Sequence, residues 1–203
     1  MSSDGILLSR ILPAFLAVVF FSCSVKENRD GCPCVLELEM HQMQAFPVEV
    51  AVWAEEFRAD RPDLVMTVEA SGIALAVATA HALGDLPVVF AKKSPTRVQN
   101  ADQVQARVYS FTHQTENMIR VEKKYLPAGC RVLIIDDFLA DGEATHGMME
   151  LCEKQRATVV GVGIAIEKGF QGGGDALRAK GIRVESLATI DSMTDKDLTF
   201  RRV

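Results

Sequence analysis

The stretch Leu133-Ile-Ile-Asp-Asp-Phe-Leu-Ala-Asp-Gly-Glu-Ala-Thr145 holds the densest chemistry in this chain. Apolar residues run into the acid pair Asp136-Asp137. A short loop follows, Ala140-Asp141-Gly142-Glu143-Ala144, and then a helical pattern. A loop that enters a helix presents backbone N–H groups without helical partners, and the helix dipole adds partial positive charge. Together they can hold a phosphate without any lysine. Gly142 lets the backbone come close to the anion. Two adjacent acids upstream can bind a sugar diol, or a magnesium ion carried on it. The pattern therefore offers a holder for a sugar phosphate. Paired acids at a strand end also serve metal-dependent phosphotransfer domains, or simply cap a loop.

Such a turn needs a frame that fixes it. Pro47, Val48, Val52, Trp53 and Phe57 predict an amphipathic helix with proline in its first turn, broken at Arg61-Pro62-Asp63. Leu64 to Val68 predicts a buried strand, and Ser71 to Leu83 an alanine-rich helix stopped by Gly84. Val88 to Ala91 predicts a second strand, and Lys92 to Gln105 a polar loop. Ala106–Phe111 and Met118–Glu122 predict a hairpin. Arg131 to Ile135 is the clearest strand. Thr145–Gln155 predicts a helix, Thr158–Ile166 a strand, Asp175–Lys180 a helix ended by Gly181, and Ile182–Leu187 a last strand. Alternating strands and helices predict an α/β fold with a mainly parallel central sheet flanked by helices. Ligands in such sheets bind at the C-terminal strand ends. That rule nominates Glu69, Lys92, Asp136 and Lys168.

Bulk composition narrows the partners. The 203 residues are 48% hydrophobic and 24% charged, which suits one α/β domain with a modest appendage. A formal net charge of −5 gives no global attraction for nucleic acid, so an anionic substrate needs a local site. Cys32 and Cys34 form a C-P-C with no second pair to complete a zinc site; Cys130 and Cys152 read as reduced thiols in apolar surroundings. His41, His81, His113 and His146 show no metal-ligand spacing.

Residues 1–40 differ in kind. Ile11 to Phe21 is an apolar run too short for a membrane-spanning helix, which needs about 20 residues. It has the size of a signal-peptide core behind Arg10, and Phe20-Phe-Ser-Cys23 resembles a loose lipobox. Lipidation at Cys23 would make the chain a membrane-anchored lipoprotein. The other reading is a buried strand or short helix of the main domain.

From about residue 41 to 190 the sequence resembles the type I purine phosphoribosyltransferase family, most closely its xanthine-using bacterial members. Asp136 to Ala144 resembles the family's phosphoribosyl pyrophosphate (PRPP) motif. Val68-Glu-Ala-Ser-Gly-Ile-Ala74, Val88-Val-Phe-Ala-Lys-Lys93, Val108-Tyr-Ser-Phe-Thr112, Ile164-Ala-Ile-Glu-Lys-Gly-Phe-Gln171 and Arg183-Val-Glu-Ser-Leu-Ala188 match in order. The resemblance implies transfer of phosphoribose from PRPP to a 6-oxopurine in purine salvage. Xanthine is the expected base and guanine or hypoxanthine the nearest alternatives. It implies that Ala140, Asp141, Gly142, Glu143 and Ala144 hold the 5′-phosphate, that Asp136 and Asp137 face the ribose hydroxyls, and that Ser71, Gly72 and Lys93 meet the pyrophosphate. It further implies that Lys168 contacts the purine, that residues from about Ser94 to Tyr125 form a flap, and that Mg²⁺ arrives with PRPP rather than on protein ligands alone. A homodimer and a cytoplasmic location also follow from it. Phe138 and Phe170 suit either purine stacking or the core.

The sequence departs from the family in two places. Asp141 and Glu143 stand where amides are usual. The N-terminal hood over the base normally supplies a leucine, and an asparagine before a His-Gln pair; here Pro33 and Met40 stand at those positions ahead of His41-Gln42. An export signal and an enzyme of cytoplasmic PRPP contradict each other, so a lipoprotein start joined to a salvage-enzyme body is expected, divided near residue 40. The competing function is a non-catalytic domain of the same fold, acting as a PRPP-sensing regulator or a membrane-displayed module.

Overall fold

The computed structural model describes residues 46–93, 102–110, 115–194 and 197–201. The hood positions Pro33 and Met40, the lipobox at Cys23 and part of the flap lie outside them. The elements run α1 (Phe46–Phe57), β1 (Leu64–Val68), α2 (Gly72–Ala82), β2 (Val88–Ala91), β3 (Gln103–Ser110), β4 (Thr115–Glu122), β5 (Arg131–Leu139), α3 (Glu143–Gln155), β6 (Thr158–Lys168), α4 (Gly173–Ala179), β7 (Val184–Met193) and β8 (Leu198–Phe200).

Six strands form the main sheet in the order β2-β1-β5-β6-β7-β8. The first five are parallel, and β8 returns antiparallel to β7. The register places Val65 beside both Val88 and Leu133, and Ile134 beside Val162. All five residues of β1 are buried, as a strand covered on both faces requires. Alternate residues feed two cores. Leu64, Met66, Val132 and Ile134 pack with the β3–β4 hairpin and with Met148 and Leu151 of α3. Val65, Leu133 and Ile135 pack on the other face with Trp53, Phe57 and Leu75 from α1 and α2. The hairpin is a separate two-stranded antiparallel sheet, tied to the main sheet by a bridge between Lys92 and Arg120.

The α/β architecture agrees with the sequence reading, while several boundaries move. β5 continues four residues beyond Ile135, so the acid pair lies within the strand rather than after it. Hairpin pairing begins at Gln103, inside the expected loop, because Gln103, Val104 and Gln105 face Glu122, Val121 and Arg120. α3 starts at Glu143 and α4 at Gly173, each two residues early. β7 runs on to Met193, carried by its partner β8, which the sequence pattern does not announce.

Candidate active site

The ends of β1, β5 and β6 meet where the acid pair lies. Asp136 is 3% exposed and Asp137 half-buried. The Asp137 N–H donates to Asp136 Oδ1 at 3.1 Å. Burial, and then the charge of Asp137, push the Asp136 carboxyl well above the ordinary aspartate range; the Lys93 ammonium pulls the other way without cancelling them. Lys93 is placed by its own backbone, whose N–H donates to Glu69 Oε1 at 2.6 Å. Two of the strand-end nominees therefore serve one corner, Glu69 by holding Lys93 and Asp136 by facing it. Lys92 turns to the hairpin side. Its Nζ lies 5.9 Å from the Phe90 ring centre, and it lines a separate cavity with Arg120 and Tyr125.

The Ala140–Ala144 turn is shaped by contacts from outside its own sequence. Gly142 sits at the start of α3 with φ of 90°, a conformation that side chains disfavour. The first helical bond runs from the His146 N–H to the Gly142 carbonyl at 2.8 Å, so the N–H groups from Gly142 to Thr145 precede it. The turn rests on the start of α4. The Gly173 N–H donates to the Ala140 carbonyl at 3.1 Å, and a Cβ on Gly173 would stand 2.4 Å from that oxygen. The Asp141 carboxylate accepts the Glu143 N–H at 3.2 Å. It is half-buried and takes up one N–H at the start of α3.

Lys168 ends β6 facing this turn. Its Nζ lies 5.5 Å from the centre of the Phe138 ring. Burial lowers the Lys168 pKa, while the charges of Asp137 and Asp141 oppose that shift. Beneath it Glu167 is 1% exposed, accepts two bonds from Arg178 at 2.8 and 2.7 Å, and accepts the Ser186 hydroxyl at 2.5 Å. Burial alone would raise the Glu167 pKa, but the bonds from Arg178 and Ser186 outweigh it and hold the carboxyl below its usual range. Phe138 shares itself between the core and Lys168, whereas Phe170, 46% exposed, is free of the core.

Ser71 is exposed at the start of α2, and Gly72 behind it is buried. A Cβ on Gly72 would lie 2.2 Å from Thr67 Oγ1 and 2.6 Å from Asp136 Oδ1. The residues nominated by resemblance thus share one neighbourhood: Gly72 and Lys93 against Asp136, and Lys168 near Asp137 and Asp141. Sequence reasoning missed Thr67, Gly173 and the Glu167–Arg178–Ser186 group. The available signals were a lone threonine in apolar β1 and the run Gly172-Gly173-Gly174. Among the described residues no cluster of three or more His, Cys, Asp or Glu side chains could hold a metal, and no helix is long and apolar enough to cross a membrane.

Residues 38–180 match the phosphoribosyl transferase domain family. The chain belongs to that family. The phosphoribosyltransferase domain is 52% identical over 153 residues to a xanthine phosphoribosyltransferase of Bifidobacterium longum, covering 74% of this chain and 79% of that one. A xanthine phosphoribosyltransferase of Clostridioides difficile is 46% identical over 147 residues, covering 72% and 77%. Solved structures share the fold at lower identity. The adenine phosphoribosyltransferase of Trypanosoma brucei superposes with a TM-score of 0.74 at 17% identity, covering 92% of this chain and 82% of that one. That of Rhodothermus marinus gives 0.72 at 19%, covering 89% and 99%.

Proposed function

We propose that this chain transfers the phosphoribosyl group of PRPP to xanthine, releasing pyrophosphate and forming xanthosine 5′-monophosphate in purine salvage. The observation that carries this reading is the acid pair Asp136-Asp137 running directly into the Ala140–Ala144 turn, in a domain 52% identical to a xanthine phosphoribosyltransferase. In this reading the substrate is Mg-PRPP. Backbone amides of the turn hold the 5′-phosphate, Asp136 and Asp137 take the ribose hydroxyls, and Ser71, Gly72 and Lys93 meet the pyrophosphate. Lys168 and the exposed ring of Phe170 address the base. The ribose C1–pyrophosphate bond breaks as a purine nitrogen forms the new bond at C1. The sugar carries cationic character between the two, so closure that excludes water protects it. Amide donors of the site would stabilise the departing pyrophosphate, and magnesium carried by PRPP would offset its charge.

We place the working enzyme in the cytoplasm, where PRPP is found, and as a homodimer, which light scattering of the pure protein would test. The decisive assay mixes the purified full chain with Mg-PRPP and, separately, xanthine, guanine, hypoxanthine or adenine. Formation of xanthosine monophosphate as the preferred product supports the proposal. No nucleotide from any base would sink it and leave a non-catalytic domain. Pro33 and Met40 bear on the same assay. Loss of one base-reading hydrogen bond costs about 1–3 kcal/mol, so the expected preference for xanthine is shallow.

A further inference from the structure

Thr67 stands out on β1. Its neighbours Val65, Met66 and Val68 are all buried and apolar, and Thr67 itself is 0% exposed. Its hydroxyl has no hydrogen-bond partner among the described residues. Buried polar groups are nearly always paired, and valine has the same shape without the hydroxyl. A threonine here therefore calls for a partner to that oxygen.

The geometry names the partner. Thr67 Oγ1 and Asp136 Oδ1 lie against one point, the place a Cβ on Gly72 would occupy, at 2.2 and 2.6 Å from it. The lack of a side chain at Gly72 leaves room for both oxygens beside the start of α2, with no hydrogen bond between them. Asp136 is faced by Asp137 on its own strand and by Lys93 from the end of β2, and Gly72 of α2 packs against it. Its Oδ1 already accepts the Asp137 N–H, and a carboxylate has capacity for further donors. We infer that Thr67 is a positioning residue: its hydroxyl donates to the Asp136 carboxylate when the sugar diol engages that carboxyl. With the inner side of the carboxyl fixed by Thr67 and the Asp137 N–H, its other oxygen is directed at the ribose. The same hydroxyl links the pyrophosphate corner at Gly72 to the ribose corner at Asp136.

This inference rests on the proposed phosphoribosyl transfer, and the test separates the two. Thr67→Val and Thr67→Ser are made in the full chain. Mg-PRPP affinity is measured by calorimetry, with kcat and separate KM values for PRPP and base. Thr67→Val should weaken Mg-PRPP about tenfold, the effect of one hydrogen bond, and leave the KM for base unchanged. Thr67→Ser should restore binding to within about twofold. In an Asp136→Asn background Thr67→Val should have little further effect, because the hydroxyl acts through that carboxyl. A purely structural role would lower Tm without this split between the two substrates. Unchanged PRPP affinity in Thr67→Val would overturn the inference, as would a serine variant as impaired as the valine one. Should Thr67→Val not fold, Thr67→Ala supplies the same comparison. Wild-type binding of Mg-PRPP without turnover would defeat the proposed transfer and still decide the role of Thr67 by affinity. No binding at all would overturn both.

Discussion

Asp141→Asn should tighten the hold on any ligand carrying a 5′-phosphate. The Asp141 carboxylate accepts the Glu143 N–H at 3.2 Å, so a phosphate oxygen reaching for that amide meets a carboxylate already there. Two unit charges about 4 Å apart repel by about 4 kcal/mol at an effective dielectric of 20, and by about 1 kcal/mol in water. Asp141 is half-buried and can swing outward, so the cost falls toward the lower figure, near 1.4 kcal/mol or about tenfold in affinity. The assay is calorimetric titration with ribose 5-phosphate, then KM for PRPP. The asparagine variant should bind about tenfold tighter, because its amide oxygen can still accept the Glu143 N–H without the charge. Asp141→Ala separates competitor from cap: a competitor's removal tightens binding, a needed cap's removal weakens it. Glu143→Gln removes one charge from the same turn and controls for net charge. If Asp141→Asn and Glu143→Gln shift affinity equally, the argument from the 3.2 Å contact fails.

Asp137→Ala should lower kcat/KM by about a thousandfold or more with little change in Tm; a rate near wild type would make the acid pair structural. Lys168→Met should raise the KM for the purine about ten- to a hundredfold and spare the affinity for PRPP, and a loss confined to PRPP would move Lys168 to the other half of the site. Arg178→Met leaves Glu167, 1% exposed, without its cation; the expected loss is about 3 kcal/mol, the low end for such pairs, because Arg178 is itself 36% exposed. The Glu167 pKa is held down in the fold, so its stabilisation is present above the ordinary glutamate value and lost as pH falls through the folded value. Melting curves of wild type and Arg178→Met should accordingly converge on acidification, and a constant gap would contradict this. Chelation of magnesium should weaken PRPP at least about a hundredfold, roughly 2.7 kcal/mol; unchanged binding in EDTA would mean that the protein alone neutralises the diphosphate.

The sequence made the sheet legible because its central strands are buried on both faces. Leu64–Val68 and Val132–Ile135 read as runs of apolar and β-branched residues, and both lie in strands. Legibility ended where a residue's role depends on something distant in sequence. β8 contributes three residues and gains its place only from β7. Gly173 reads as part of a flexible glycine run, yet it closes on Ala140, thirty-three positions earlier. Thr67 reads as one more β-branched strand residue until Gly72 and Asp136 are seen beside it. The candidate site followed the same division. The motif around Asp136 to Ala144 can be read locally because a strand, a tight loop and a helix start are local events. The direction of Asp141 cannot, since a carboxylate in that loop can turn to solvent or back onto its own turn, and only the structure shows it on the Glu143 N–H.

The balance of charge around the acid pair bears on how the proposed phosphate half would hold its ligand. Asp136, Asp137, Asp141 and Glu143 crowd one strand end and its turn, with Lys93 and Lys168 as the cations coupled to that cluster in the described structure. Desolvation already lowers the Lys168 pKa and raises that of Asp136 well above its usual value, so neither group is at ease with its charge. A ligand bringing a phosphate and a diphosphate adds more negative charge than two ammonium groups can offset. In the proposed reading the remainder comes from dipoles that need no counter-ion, and from a metal carried by the ligand itself. The turn at Gly142 supplies the dipoles, because the N–H groups there precede the first bond of α3. A surplus of carboxylates also makes the hold on phosphate easy to reverse. Asp141 already accepts the Glu143 N–H, so if the proposed phosphate site is right, the contact expected to weaken substrate binding should also hasten product release.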